Sequence, residues 1–236
     1  MRILGIGANP DDLEILCAGT LAKYAKRGHE IIMCHVTKGE KGHFHIPRDE
    51  LANIRKEEAR ESAKVIGAEV IPLDFLDGEI FSNNNDARLK FINMIRQAKP
   101  DIIITHSSND YFVDHTEVSK AVFDCSFLSS IPYVNTNYDY HSKVPQIYYM
   151  DTLAGVGFNP TIYIDITQTI KIKLEMLAKH QSQVKWLKEH DKVDILEFVK
   201  SVARFRGLQC GVEYAEGFTL CQAWLRITPG ELFFEN

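Results

Sequence analysis

The chain has 236 residues, 45% of them hydrophobic and 25% charged, with a formal net charge of −5; this suits one large domain with a sizeable core and gives no general electrostatic drive toward nucleic acid or an anionic membrane. Its five cysteines (Cys17, Cys34, Cys125, Cys210, Cys221) are scattered, odd in number and form no Cys-x-x-Cys, which argues against a disulfide framework or zinc knuckle and for reduced thiols in a cytoplasmic protein. No apolar run reaches the roughly 18 residues of a membrane span, and Arg2 leads directly into a buried-strand pattern instead of a signal peptide.

Arg2–Gly7 reads as a first strand, and residues 12–27 as a helix whose apolar face carries Leu13, Ile15, Leu16, Ala18, Leu21 and Ala22, stopped at Gly28. Glu30–Thr37 is a second strand and residues 38–48, rich in Gly, Lys and His, a loop. A long helix follows over 49–66, then a strand at Glu69–Phe75 and a helix at Asn85–Ala98 that Pro100 stops. Residues 101–105 (Asp-Ile-Ile-Ile-Thr) are short and continuously apolar, as a doubly covered parallel strand should be. Residues 131–145 form a long loop. Strands are expected at Gln146–Met150, 161–166 and 220–225, and helices at 167–188 and 193–206. Strands alternating with helices predict a single Rossmann-like α/β domain over residues 1–236, with a mainly parallel sheet flanked by helices.

In such sheets ligands bind outside the carboxyl ends of the strands. Three segments of interest fall there: Asn9–Asp12 with Glu14, Thr37–Gly42 and His106–His115. The first and fourth strands are commonly neighbours, which would bring Asp11 and Asp12 close to Asp110, Asp114 and His115. Gly5-x-Gly7 has the start of a dinucleotide fingerprint, but position 10 is Pro and no acidic residue ends the second strand at Thr37. A divalent metal fits better: Asp12 and His115 offer an oxygen and an imidazole nitrogen suited to zinc, leaving Asp11 to handle a proton. The plainer alternative makes Asp11 or Asp12 a helix N-cap and places His115 near the start of the next helix.

Asn9-Pro10-Asp11-Asp12-Leu13-Glu14 resembles the A-H-P-D-D-x-E signature of the PIG-L/LmbE family of metal-dependent N-deacetylases. The likeness continues through Thr37–Gly42, Arg55-x-x-Glu58, Leu76–Glu79 and His106–His115. It reappears at His180–Gln183 and over residues 206–216, and so spans nearly the whole chain in order. It implies a hydrolase that removes acetyl from an N-acetylated amino sugar or its conjugate, using zinc or another divalent metal. Residue by residue, it implies Asp11 as proton carrier and Asp12 and His115 as metal ligands, with Asn9 standing in for the family's first ligand histidine. Arg55 matches an arginine that holds substrate or the developing oxyanion. Asp114 is placed to orient a neighbouring imidazole. A homo-oligomer is compatible with the resemblance.

The chain departs from the family at two positions. Asn9 replaces a ligand histidine, and a neutral amide oxygen binds zinc more weakly than imidazole. Phe112 replaces the histidine expected to stabilise the oxyanion, and a phenyl ring donates no hydrogen bond. Oxyanion donors are worth about 2.7–4 kcal/mol, so an uncompensated loss slows chemistry on the order of a hundredfold. His106 is the candidate substitute imidazole. These departures motivate the alternative of a catalytically degenerate member that binds a sugar or nucleotide-sugar without hydrolysing it.

Other residues have two readings. His43 and His45 either face the site or are exposed loop histidines, and Asp77-Gly78 is a turn that the resemblance places near a sugar hydroxyl. His180 lies in a helical pattern that favours packing. The aromatic-rich stretch from Tyr133 to Tyr140 either stacks on a sugar or packs in the core or an interface.

Overall fold

The computed structural model describes residues 1–227. Seven strands form one sheet in the order β3-β2-β1-β4-β5-β7-β6. They are β1 (Arg2–Gly7), β2 (Glu30–Thr37), β3 (Glu69–Phe75), β4 (Ile102–Thr105), β5 (Gln146–Met150), β6 (Ile162–Asp165) and β7 (Ala215–Leu220). The first five run parallel, whereas β7 lies antiparallel to both β5 and β6. This is the mainly parallel, helix-flanked sheet expected from the strand–helix alternation.

The helices are α1 (Asp12–Leu16), α2 (Ala18–Lys26), α3 (Arg48–Lys64), α4 (Asn85–Ala98), α5 (Val113–Leu128), α6 (Ile170–Leu177), α7 (Gln181–Trp186) and α8 (Ile195–Cys210). On one face Leu4, Ile6 and Ile103 pack with Phe91 and Met94 of α4 and Val118 and Val122 of α5. On the other, Ile3, Met33 and Ile104 pack with Leu13 of α1, Leu21 of α2 and Met176 of α6. Alternation along β1 thus feeds both cores, which is why its apolar run is continuous.

Local chemistry sets the boundaries. Asn84 caps α4 by accepting from the backbone N–H of Asp86 and Ala87 at 2.8 and 3.1 Å, and Lys99 ends it in a left-handed turn before Pro100. The helix expected over 12–27 is broken at Cys17. Glu216 on β7 explains the break: its carboxylate accepts from the N–H groups of Gly19 and Thr20 at 2.9 and 2.7 Å, giving α2 its own N-terminal cap. Lys173 neutralises that buried carboxylate at 2.5 Å and also donates to the Ile15 carbonyl at 2.8 Å.

The helix expected over 167–188 likewise divides into α6 and α7, and α7 continues into a π-helical turn at Leu187–Asp191. The late strand lies at Ala215–Leu220 and not at 220–225. The apolar run around Leu220 misplaces it, because a buried ion pair lets Glu216 sit inside the strand.

Loop 131–145 is tied to the sheet's amino end. Arg96, itself buried, donates to the carbonyls of Ser129, Ile131 and Val134, and His141 Nε2 contacts the carbonyl of Pro100 at 2.9 Å. The residues from Tyr133 to Tyr140 are therefore at the opposite end from the strand-end residues of interest. A loop that leads into a parallel strand must lie at its amino edge.

Candidate metal centre

The pairing of β1 with β4 aligns Ile6 with Thr105, so the segments leaving both strands meet at the carboxyl edge. Gly7 makes the β1 turn tight: a Cβ there would lie 3.0 Å from Asp12 Cβ and 3.2 Å from Leu13 Cγ. The Gly-x-Gly pair thus serves helix-to-strand packing, bringing Asp12 over the strand end. Backbone N–H of Asn9 donates to Asp12 Oδ2 at 2.6 Å and fixes that carboxylate.

Asp12, His106 and His115 converge there, each buried, with candidate ligand atoms all within 4.8 Å of one another. His106 Nε2 is 3.1 Å from Asp12 Oδ2, and His115 Nε2 is 3.4 Å from Asp12 Oδ1. The two imidazoles stack with centroids 3.8 Å apart. His115 Nδ1 contacts Asp110 Oδ2 at 3.0 Å, an arrangement that fixes ring orientation and leaves Nε2 facing Asp12. His106 Nε2 accepts from the Ala8 N–H at 2.9 Å, and Nδ1 is buried without a hydrogen-bond partner among the described residues.

The electrostatics divide the carboxylates. Burial pushes Asp12 upward, but the charged His115 outweighs it and holds the group well below the ordinary carboxylate range. Burial alone would depress His115, yet Asp12 and Asp110 raise it to about 10. Burial lowers His106 and keeps it neutral. Asp11 behaves oppositely to Asp12: burial raises its pKa to about 6, against the opposing pull of Arg55. One aspartate is thus held ionised while its neighbour titrates near neutrality, the separation that acid–base work needs.

Asp11 sits at a backbone φ of 129°, a costly conformation for a non-glycine residue, and its Oδ1 is 3.1 Å from Arg55 Nη2. Arg55 also donates to the carbonyls of Gly39, at 3.1 Å, and Pro10. Gly39 has φ +70°, and a Cβ there would collide with the guanidinium at 2.4 Å, so only glycine serves. Arg55 is 3% exposed, and its guanidinium is committed to Asp11 and these carbonyls. The contact expected with substrate or oxyanion therefore competes with an ion pair to Asp11.

The remaining expected residues fall as follows. Asn9 Nδ2 donates to Thr37 Oγ1 at 2.9 Å and Asp77 Oδ1 at 3.0 Å, so its amide braces the β2 and β3 ends. Asp77 also accepts from the N–H groups of Gly39 and Lys41 at 3.1 and 3.0 Å, which occupies the carboxylate expected near a sugar hydroxyl. Asp114 Oδ2 accepts from the Gly78 N–H at 2.9 Å, and the task of orienting an imidazole falls to Asp110 instead. Sheet topology brings Asp110 to this edge in the sequence, but its contact with His115 Nδ1 is seen only in the fold. His106, expected as the substitute imidazole, lies in the cluster with Asp12 and His115. Phe112 caps α5 at the rim, 44% exposed, with its ring 5.0 Å from that of His115.

Behind the centre lies a buried set that the sequence left unconnected. Glu14 Oε1 accepts from Ser62 Oγ at 2.5 Å and lies 3.2 Å from His180 Nε2. Burial works against its ionisation, but His180 overcomes this and brings the Glu14 pKa down to about 2. His180 is fully buried and is a charge partner for Glu14, beyond simple helix packing.

Comparison with known proteins places this geometry. Residues 4–126 match the PIG-L family model, described as GlcNAc-PI de-N-acetylase. The diacetylchitobiose deacetylase of Thermococcus kodakarensis is 26% identical over 240 residues, covering 97% of this chain and 84% of the relative. The structure of N,N'-diacetylchitobiose deacetylase from Pyrococcus horikoshii superposes with a TM-score of 0.78 at 25% identity, over 92% of this chain and 82% of that one. GalB, the 4-carboxy-2-hydroxymuconate hydratase from Pseudomonas putida KT2440, shares the fold with a TM-score of 0.82 at 21% identity, over 98% and 100% of the two chains. With the family model covering more than half of its length, and relatives aligned almost end to end, this chain belongs to the PIG-L family.

Proposed function

We propose that the protein is a metal-dependent hydrolase that removes the acetyl group from an N-acetylated amino sugar or its conjugate. The observation that carries this reading is the convergence of Asp12, His106 and His115 beside Asp11. One carboxylate and two imidazoles are the donor chemistry of a catalytic zinc site with one position left open. The donors fit in their ionisation as well. Asp12 is held ionised, His106 is neutral, and His115 presents Nε2 while Asp110 holds Nδ1. Its proton at Nε2 must leave when metal binds.

We assign Asp12, His106 and His115 as the residues that hold the metal, with zinc the best match to the donors. Bound there, a divalent ion supplies Lewis acidity toward an amide carbonyl and lowers the pKa of a water.

The chain supplies the proton handling. Asp11, with a pKa of about 6, takes a proton from the attacking water and delivers it to the departing amine as the carbon–nitrogen bond breaks. Arg55 keeps the Asp11 carboxylate in place and mostly ionised at neutral pH. Phe112 walls the rim beside His115 and offers no hydrogen bond to an oxyanion. The named activity of the two diacetylchitobiose deacetylases supports an N-acetylated amino sugar as the substrate class.

The test is amine release from N-acetylglucosamine and N,N'-diacetylchitobiose, by protein stripped with a chelator and then reloaded with zinc. Release that depends on zinc supports the reading. Stoichiometric metal with no release from either sugar overturns it in favour of a non-hydrolysing sugar binder.

A further inference from the structure

The loop after β2 carries an aromatic cluster that the mechanism does not use. His43 Nδ1 accepts from the N–H groups of His45 and Ile46 at 3.1 and 3.2 Å, which folds residues 43–46 back on themselves. Gln183 Nε2 fastens the loop to α7 by donating to the Gly42 carbonyl at 3.1 Å. The His43 ring then lies 4.5 Å from Trp186, and Phe44 meets Trp186 and His190 edge-on at 4.8 Å each. Trp186 and His190 stack at 4.4 Å with an interplanar angle of 14°. His190 lies on the π-helical turn Leu187–Asp191, which Trp186 immediately precedes, and such turns are frequent at functional sites.

The cluster is built, yet it leaves Phe44 72% exposed. Its loop also reaches the arginine that contacts Asp11. A Cβ on Gly42 would lie 3.0 Å from Arg55 Nη1, and Arg55 Nη2 is 3.1 Å from Asp11 Oδ1. Phe44 is two residues farther along the chain, within about 7 Å of Gly42 at full extension. An exposed aromatic face flanked by the exposed imidazoles of His45 and His190 suits one kind of ligand group. A pyranose ring presents C–H groups on its face and hydroxyls around its edge, so the phenyl face covers the former and imidazoles bond the latter.

We propose that Phe44 and the Trp186–His190 stack form a platform for a second sugar ring, joined to the N-acetylated ring that lies at the Asp12 centre. The proposal rests on the deacetylase reading and adds to it a substrate class of disaccharide or longer. Phe44 and Trp186 are specificity residues in this scheme, remote from the bond that breaks.

Two measurements test it separately from that reading. The first compares kcat/KM for N,N'-diacetylchitobiose and N-acetylglucosamine in the wild type and Phe44→Ala. The disaccharide preference falls roughly two- to tenfold, carried by KM, which is the factor an aromatic contact is worth. An unchanged preference overturns the platform.

The second uses Trp224→Phe, which leaves Trp186 as the sole tryptophan, because the chain has two. Titration with chitobiose, which carries no acetyl group to remove, shifts the Trp186 emission saturably, and Phe44→Ala in that background weakens the response. A flat titration overturns the platform. A saturable shift in a protein that hydrolyses neither sugar supports the platform and sinks the deacetylase reading alone.

Discussion

His106 Nε2 lies 3.1 Å from Asp12 Oδ2, reaching the carboxylate from the end of β4, whereas the amide of Asn9 on the β1 side turns to Thr37 and Asp77. On the proposed assignment, an imidazole from the end of the neighbouring strand supplies the ligand that position 9 lacks. His106→Ala is expected to lower zinc affinity more than a hundredfold, beyond the roughly 10- to 100-fold typical of losing an outer partner. Asn9→Ala should have the smaller effect. Competition with a chromogenic chelator measures both, and the reverse ranking would make Asn9 the ligand.

Asp110 and Asp114 flank the same helix start but serve different groups. Asp110 holds His115 Nδ1 at 3.0 Å, whereas Asp114 holds the Gly78 N–H at 2.9 Å. Asp110→Asn should therefore weaken zinc binding by roughly 10- to 100-fold. Asp114→Asn should leave zinc affinity nearly unchanged. Equal losses in the same chelator competition would mean that both carboxylates support the imidazole.

The pH profile reports Asp11. Its carboxyl has a pKa of about 6 in the metal-free protein, raised by burial and restrained by Arg55. A base must be deprotonated, so kcat/KM should fall as pH drops through this value. Bound metal adds positive charge nearby and favours the ionised form, so the acid limb lies no higher than about 6. Arg55→Met removes the group that lowers the pKa, and its acid limb should move to higher pH. A limb that stays put would remove Arg55 from control of Asp11.

Much of this arrangement is readable in the residues. The continuous apolar runs of Arg2–Gly7 and Ile102–Thr105 announce doubly covered strands, and their adjacency follows from ordinary sheet topology. The Asp11-Asp12 pair and His115 stand out by type and position. Local pattern is silent where distant charges decide the backbone. Glu216 splits one apolar helix pattern into α1 and α2 and sits within a strand that its polarity would argue against. His106 is legible at the strand end, but its contact with Asp12 is not, because that contact exists only across β1 and β4. Arg55 illustrates the converse, since an arginine at a site suggests substrate, and only the fold shows its packing on Gly39 and its ion pair with Asp11.

Stability should depend on the buried pair that caps α2. Lys173 and Glu216 are 1% and 4% exposed, and Lys173→Met leaves the Glu216 carboxylate without its cation. Breaking such a pair from one side costs about 3–5 kcal/mol. Urea unfolding of Lys173→Met should show a loss of that order. A loss no larger than that of an exposed pair such as Lys143–Asp101 would contradict the role given to Glu216.

The most direct test of the metal centre is anomalous diffraction at the zinc edge from crystals of the zinc-loaded protein. The account predicts one strong peak enclosed by Asp12, His106 and His115, with Asp110 still on His115 Nδ1. A peak bound by Asn9 with His106 turned away, or stoichiometric zinc located elsewhere, would contradict it.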